Sequence, residues 1–322
     1  MNTPEPHSIA GGPTRPRAGR CLCRVPLLVL LVIGLMSGRA ADAPAVPAGF
    51  SKEFIRFTKT GSGEGHVDTA VKSYFREGDR ALVTLAAVIH VGDAAYYEKL
   101  QKLFESYDSV LYEMIRDRDA EPASEVGTDH PVSQMQIMMK TLLGLEFQLD
   151  RIDYGRTNFV HADLDPESFA RLQADRGETI FGLLFRAAME EQRRQSANPE
   201  EGLNPFALLL AFTAEDSAHQ LKFLLGQQMG QMENLLAGLD QSAGGEGSVI
   251  LSGRNDHAMK VLSEELQKGR KKLVLFYGAG HMPDFEKRLL KQGFKLVTEH
   301  WNVAWDIRKK NAPPAVVPTT RP

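Results

Sequence analysis

The clearest pattern in the chain is a pair of apolar runs that each end in a histidine. Ala81–His90 (ALVTLAAVIH) and Leu273–His281 (LVLFYGAGH) are mainly aliphatic and aromatic until a polar or glycine-rich turn interrupts them. A run of this length that stops at a turn is typical of a buried strand. Strands of an α/β sheet present their carboxyl ends at one edge, where ligands bind. The pattern therefore predicts that His90 and His281 meet at that edge.

The segment after the first run has the pattern of a βαβ unit. Ala94–Ser106 carries apolar residues at helical spacing, and Asp108–Ile115 is again strand-like. This order favours neighbouring parallel strands joined by a right-handed crossover. Glu113 interrupts the second run near its end, one strand over from His90. A carboxylate there must be paired, protonated or bound to a metal, because an unpaired buried charge is very costly; the alternative is an edge glutamate that faces water.

The rest of the chain is divided between a helical insertion and further α/β pattern. Residues 131–240 are mostly helical in pattern, begin with the Met-rich helix Val132–Leu149, and are predicted to cap the strand ends. Further strands are predicted at Phe54–Phe57 and Lys72–Phe75 (both at a sheet edge), Phe159–Ala162, Ser248–Leu251 and Phe294–Ile307. The predicted fold class is α/β: a central, largely parallel sheet flanked by helices, in one domain over residues 51–310, with the helical insertion at the carboxyl ends of the strands.

Residues 1–40 have the organisation of a secretory signal peptide. Arginines precede the apolar core Val25–Met36, and small residues follow it. The core is shorter than the roughly 20 residues that a spanning helix needs, so cleavage is predicted, with an uncleaved membrane anchor as the alternative. The mature protein is then exported to the periplasm or the extracellular space. Residues 41–50 are predicted to be a linker, and residues 311–322 a disordered tail.

Composition narrows the chemistry of the exported chain. Cys21 and Cys23 both precede the apolar core, so the mature chain has no cysteine, which excludes disulfides, thiolate ligands and cysteine nucleophiles. The whole chain has a net charge of −3, and the signal segment takes away five arginines but one glutamate. The mature chain is therefore more acidic, which disfavours nucleic acid and anionic membranes as partners.

Four residues at predicted strand ends form the candidate site. Two imidazoles and a carboxylate are a common ligand set for a catalytic divalent metal, so His90, His281 and Glu113 are candidate metal ligands. Glu113 could instead act as a general base. Arg254 follows the predicted strand Ser248–Leu251, where it could hold substrate or stabilise an oxyanion; a salt bridge that pins the loop is the alternative.

Other polar residues have weaker patterns. His161 and Asp163 follow a short predicted strand and could approach the site, with structural hydrogen bonding as the simpler role. His66 is predicted to be solvated in a loop, and His219 and His300 to be structural. The chain has no His-Glu-x-x-His, Gly-x-Ser-x-Gly or Gly-x-x-x-x-Gly-Lys motif, which disfavours the common zinc-protease, serine-hydrolase and phosphate-loop classes.

The candidate residues lie in four segments that resemble the TraB/PrgY/GumN family. This family includes the TIKI metalloproteases and is grouped with erythromycin esterase and ChaN-like proteins. The segments are LAAVIHVGD (Leu85–Asp93), YEM around Glu113, GRNDHAM (Gly253–Met259) and YGAGHMPDFEKRL (Tyr277–Leu289). The family signature is two Gly-x-x-His motifs with a glutamate after the first and an arginine between them. Gly278–His281 matches the second motif fully, and in the first Ala87 stands where the family has glycine.

The resemblance implies a metal-dependent hydrolase of the peptidase or amidase type. A manganese, cobalt or zinc ion would be bound by His90, His281 and Glu113, and Glu113 and Arg254 would be catalytic. The substrate would be a peptide or a small amide or ester. Two alternatives remain open: a non-catalytic protein that binds haem, iron or a peptide, suggested by the ChaN-like relatives, and a metal-independent esterase of the erythromycin-esterase type.

Overall fold

The computed structural model describes residues 49–116, 140, 142–175, 177, 189, 192, 193, 196, 209–211, 213–230 and 249–308. The predicted signal peptide, most of the predicted linker and the predicted tail lie outside these residues, and the insertion 131–240 is described only in part. Within the described ranges, no helix is both long enough and apolar enough to cross a membrane.

The described chain alternates strands and helices, most of them as the pattern predicts. The strands are β1 (Ile55–Gly61), β2 (Glu64–Arg76), β3 (Ala81–Val88), β4 (Val91–Gly92), β5 (Ser109–Tyr112), β6 (Glu146–Phe147), β7 (Phe159–His161), β8 (Lys272–Gly278) and β9 (Lys295–Ile307). The helices are α1 (Ala94–Phe104), α2 (Gln148–Arg151), α3 (Pro166–Asp175), α4 (Ser217–Met229), α5 (Arg254–Gln267) and α6 (Met282–Lys291). A π-helical turn, Val249–Gly253, leads into α5, and a 3-10 turn, Ala279–His281, joins β8 to α6.

One mixed sheet holds seven of these strands. Its order is β1-β2-β3-β8-β5-β7, and β9 pairs along β2. Strands β3, β8, β5 and β7 run parallel to one another, whereas β2 is antiparallel to β1, β3 and β9. The short strands β4 and β6 form a separate antiparallel pair. The predicted α/β class, with a largely parallel sheet flanked by helices, is confirmed.

Strand β8 lies in the middle of the parallel half because it is apolar on both faces. Every residue of Leu273–Tyr277 is 0% exposed, and a strand that is buried on both faces belongs between two neighbours in a covered sheet. The predicted direct pairing of Ala81–His90 with Asp108–Ile115 is wrong, because β8 pairs with β3 on one side and β5 on the other. The three strands that end at candidate residues are nevertheless consecutive in the sheet.

Two strand predictions outside this centre are also wrong. Lys72–Phe75 does not lie at a sheet edge, because β2 pairs with strands on both of its sides. Burial of Lys72 is possible because its Nζ donates to the carbonyl of Ser51 (2.7 Å) and lies 3.6 Å from Glu286 Oε1. The described residues of Ser248–Leu251 belong to the π-helical turn and not to a strand, and the positions on both sides of β8 and of β5 are taken by other strands.

Candidate functional site

The carboxyl ends of β3, β8 and β5 bring three candidate residues to one edge of the sheet. His90 lies two residues beyond β3, Glu113 directly follows β5, and His281 ends the turn after β8. The strand ends are level, because the last residues of β3 and β8 are paired and the Glu113 amide donates to the carbonyl of Phe276 (3.2 Å). The prediction that strand ends assemble these side chains matches their placement.

Glu113 is the central side chain of this group, and it does not face water. Its side chain is 11% exposed. Oε2 accepts a hydrogen bond from the Gly278 amide (2.6 Å), while Oε1 accepts one from Arg254 Nη2 (2.8 Å) and lies 3.5 Å from His281 Nε2. Burial by itself raises the pKa of this carboxyl, but the charge and hydrogen bond of His281, and then the charge of Arg254, outweigh burial and hold the pKa of Glu113 well below its usual range.

Gly278 marks the space that the candidate ligands share. A Cβ atom at this position would lie 3.2 Å from Glu113 Oε2, 3.8 Å from His90 Nε2 and 3.9 Å from His281 Cδ2. The backbone of Gly278 has φ −52° and ψ 142°, which any residue can adopt. A side chain at this position would therefore be tight against Glu113 Oε2, whereas the backbone conformation itself does not favour glycine.

We expect the substitution Gly278→Ala to weaken binding of Mn²⁺ or Co²⁺ by about tenfold or more, because its methyl group would occupy the space between the ligands. Stability should change by less than about 1 kcal/mol, since the backbone conformation is unstrained. Isothermal titration with metal measures the first effect and thermal unfolding the second. The matched control is Gly78→Ala, where an added Cβ meets no atom within 4 Å. Equal metal affinity in both variants would contradict a shared site beside Gly278.

Arg254 is held by two carboxylates at the first turn of α5. Its Nε donates to Asp163 Oδ1 (2.9 Å), and its Nη2 donates to both Asp163 Oδ2 and Glu113 Oε1. Burial by itself lowers the pKa of this guanidinium. The hydrogen bond to Asp163 and the negative charges of Glu113 and Asp163 outweigh burial and raise the pKa above its usual value, so Arg254 stays charged. Asp163, which could have been structural only, thus joins the site through Arg254. Arg254 follows the π-helical turn and not the predicted strand.

Each candidate imidazole is oriented by a side-chain amide. His281 Nδ1 lies 2.6 Å from Asn255 Oδ1, and His90 Nδ1 lies 2.8 Å from Gln148 Oε1. Sequence reasoning assigned no role to either amide. Asn255 directly follows Arg254 in the GRNDHAM segment, so its position next to a candidate residue could have indicated a role in the site. Nothing in the sequence marks Gln148, which lies 58 residues from His90.

Ala87, which stands where the resembling family has glycine, lies inside β3 and is fully buried. It has no positive φ angle. Its carbonyl accepts a hydrogen bond from the hydroxyl of Tyr96 (3.2 Å), and it pairs with Tyr277 of the neighbouring strand β8. Alanine therefore needs no special backbone conformation at this position.

Four other histidines in the described part of the chain lie outside the candidate group. His161 Nε2 lies 2.6 Å from the carbonyl of Met114, so it does not join the candidate group. His66 is buried on β2 with Nδ1 2.6 Å from Asp68 Oδ1, so its predicted exposure in a loop is wrong. His300 lies on β9, where burial lowers its pKa. His219 lies on α4 beside the β1–β2 turn.

The donor set of His90, His281 and Glu113 fits a divalent cation in its chemistry. An ionised carboxylate and the Nε2 side of two imidazoles face the space beside Gly278, because an amide oxygen occupies each Nδ1. In the part of the chain that the structure describes, no three His, Cys, Asp or Glu side chains are close enough together to enclose a metal ion. Coordination of one ion by all three side chains would therefore require them to move from the positions they have here.

No protein-family model, curated protein or solved structure matches the chain. The resemblance to the TraB/PrgY/GumN family therefore remains a prediction from the four sequence segments.

Proposed function

We propose that the protein is an exported metal-dependent hydrolase of the peptidase or amidase type, related to the TraB/PrgY/GumN family. The observation that carries this proposal is the convergence of two imidazoles and one ionised carboxylate beside Gly278, at the ends of three consecutive parallel strands. Sites at this edge of a parallel sheet are the usual location of ligand binding in α/β proteins.

In this proposal His90, His281 and Glu113 hold a manganese, cobalt or zinc ion. A bound ion of this kind would polarise a carbonyl group and lower the pKa of water toward neutrality. The low pKa of Glu113 keeps its carboxylate ionised at neutral pH, so it can bind a cation or accept a proton from water. These two roles of Glu113 are alternatives within the same mechanism.

Arg254 would orient Glu113 and stabilise negative charge on the substrate. The hydrogen bonds to Asp163 and Glu113 use Nε and Nη2, so among the described contacts of Arg254 none occupies Nη1. This nitrogen could donate to a developing oxyanion when an amide carbonyl is attacked. Asp163 would keep the guanidinium charged and fixed in orientation.

With the predicted signal peptide, this activity would be in the periplasm or the extracellular space, and its substrate would be a peptide or a small amide or ester. A peptide substrate is consistent with an acidic mature chain that carries no nucleic-acid-binding pattern.

Metal analysis of the purified mature protein, together with its visible absorption spectrum and its hydrolysis of a peptide library, tests the proposal. We expect about one bound divalent ion per chain, no haem band, and hydrolysis that a chelator abolishes and added metal restores. A haem band without a divalent ion would favour the non-catalytic binding protein instead. Hydrolysis that is unaffected by chelation would favour the metal-independent esterase.

A further inference from the structure

The two candidate metal-binding imidazoles have the same arrangement around Nδ1, although different parts of the fold supply it. Gln148 is the first residue of α2, in the helical insertion, and its Oε1 lies 2.8 Å from His90 Nδ1. Asn255 belongs to α5, after the insertion, and its Oδ1 lies 2.6 Å from His281 Nδ1. Both amides are buried, with 4% and 0% exposure. The insertion thus supplies this contact to one ring, and the chain after the insertion supplies it to the other.

The other contacts of these amides accompany an orientation in which the oxygen faces each ring. Asn255 Nδ2 donates to the carbonyl of His281 (3.2 Å) and to Asp284 Oδ2 (2.9 Å), so its oxygen must be the atom that meets the imidazole. Gln148 Nε2 donates to the hydroxyl of Tyr154 (2.8 Å), and in this arrangement Oε1 faces His90. An amide oxygen only accepts hydrogen bonds, so the facing Nδ1 must carry the proton.

We propose that Gln148 and Asn255 are positioning residues that hold His90 and His281 in the Nδ1–H tautomer. Nε2 is then the nitrogen left for a metal ion. In His90 it lies 3.8 Å from a Cβ atom placed at Gly278, and in His281 it lies 3.5 Å from Glu113 Oε1, where a ring protonated at both nitrogens can also donate to that carboxylate. Metal-binding histidines in general donate their second N–H to an oxygen acceptor, which fixes ring orientation and raises ligand basicity. The consequence for metal binding rests on the proposed function, whereas the tautomer is a property of the metal-free chain.

The two positioning contacts differ in importance because the two histidines differ in surroundings. His281 is 4% exposed and packs against the rings of Tyr277 (centroids 5.3 Å apart) and Phe285 (6.2 Å), which also restrain it. His90 is exposed, and in the described chain Gln148 is its hydrogen-bonding side chain. The tautomer of His90 should therefore depend on Gln148 more strongly than that of His281 depends on Asn255.

Backbone hydrogen bonds also join Gln148 and the residues before it to the segment that contains His90. Its amide donates to the carbonyl of His90 (2.9 Å), and the residues before it pair with the residues after His90: Phe147 with Val91 and Glu146 with Gly92. The first part of the helical insertion is thus joined to the segment that presents His90. This contact gives the insertion a part in building the site.

Nitrogen-15 NMR of the imidazole rings, recorded on the metal-free protein at a pH where the rings are neutral, tests the tautomers directly. Signals of His90 and His281 are assigned as those missing from His90→Ala and His281→Ala. We expect Nδ1 to be the protonated nitrogen in both rings. Gln148→Met, which removes the acceptor at similar length, should give a mixture of tautomers at His90 alone and lower the affinity for Mn²⁺, Co²⁺ or Zn²⁺ by about 10–100-fold.

Two further variants separate positioning from general damage to the fold. Gln148→Glu keeps an oxygen acceptor and should retain the wild-type tautomer of His90. Gln101→Met is the matched control, because Gln101 Oε1 accepts a hydrogen bond from the Asp153 amide (2.8 Å) in the same region without touching a candidate ligand; its NMR signals and metal affinity should match those of the wild type.

The inference is overturned if His90 carries its proton on Nε2 in the wild type, or if Gln148→Met leaves the signals of His90 unchanged. Equal loss of the tautomer in Gln148→Glu and Gln148→Met would also overturn it. A wild-type protein that shows the Nδ1–H tautomers but binds none of the three metals would contradict the proposed function and leave the positioning contacts established.

Discussion

Replacing Arg254 with methionine is expected to lower the free energy of unfolding by about 3–5 kcal/mol. Arg254 is 8% exposed and is the cation that Asp163 and Glu113 share. Asp163 is 1% exposed, so loss of the guanidinium leaves an ionised carboxylate buried without its partner. The straight side chain of methionine fills much of the vacated volume, so the change reports mainly on charge. Urea unfolding followed by circular dichroism measures it.

Arg288 is the control arginine, because its salt bridges are more exposed and should contribute less to the free energy of unfolding. Arg288 bonds Asp284 and Asp256 with a side chain that is 26% exposed, so Arg288→Met should cost about 0–1 kcal/mol. The double variant Arg254→Met/Asp163→Leu removes both buried partners and should recover part of the lost stability. Similar losses in Arg254→Met and Arg288→Met would show that the network around Arg254 is not buried in the way described.

Replacing His281 with alanine is expected to abolish tight metal binding and to reduce hydrolysis by roughly 10³-fold or more, because the metal supplies several kcal/mol of transition-state stabilisation. His281 is the buried histidine of the pair, and its Nε2 lies 3.5 Å from Glu113 Oε1. Elemental analysis of the purified variant and its rate of peptide hydrolysis measure the two effects.

The variant His90→Ala distinguishes loss of metal binding from loss of stability. His281→Ala removes a ring that packs against Tyr277 and Phe285 and so reduces stability as well. His90→Ala removes an exposed ring and should lose metal and activity with little change in stability. His300→Ala, in β9, which pairs with β2 and with none of the three strands that end at the site, should retain both metal and activity. Full activity in His90→Ala would remove His90 from the mechanism.

The sequence predicts the candidate ligands well because their positions follow from a general rule. Apolar runs that end in a turn become buried strands, and parallel strands place their last residues at one edge. His90, Glu113 and His281 could be grouped on that basis without knowledge of strand order. The order itself was predicted wrongly, because β8 enters between β3 and β5 from a distant part of the chain, and local periodicity contains no information about such insertion.

The supporting residues could not be predicted from local pattern. Asp163 is separated from Arg254 by 91 residues and Gln148 from His90 by 58, and each is an ordinary polar residue in its own segment. Their roles arise from tertiary contact alone. The same reason explains the error at Lys72, which was predicted to lie at a sheet edge. A carbonyl oxygen and Glu286 satisfy its ammonium group in the interior.

The π-helical turn before α5 was predicted to be a strand. Val249–Leu251 has the composition of a strand, yet no position beside β8 or β5 is free to accept it. Strand propensity describes how well a segment fits a sheet, and competition for sheet positions overrides it. Arg254 still reaches Glu113 because the turn delivers the first residue of α5 to the same edge.

Anomalous diffraction from crystals of the mature protein grown with Mn²⁺, Co²⁺ or Zn²⁺ tests the central claim most directly. The account predicts one strong anomalous peak per chain beside Gly278, within about 2.0–2.3 Å of Nε2 of His90 and Nε2 of His281 and in contact with Glu113. Absence of a peak there at saturating concentrations of all three metals, with both rings well ordered, would contradict a metal site formed by these strand ends.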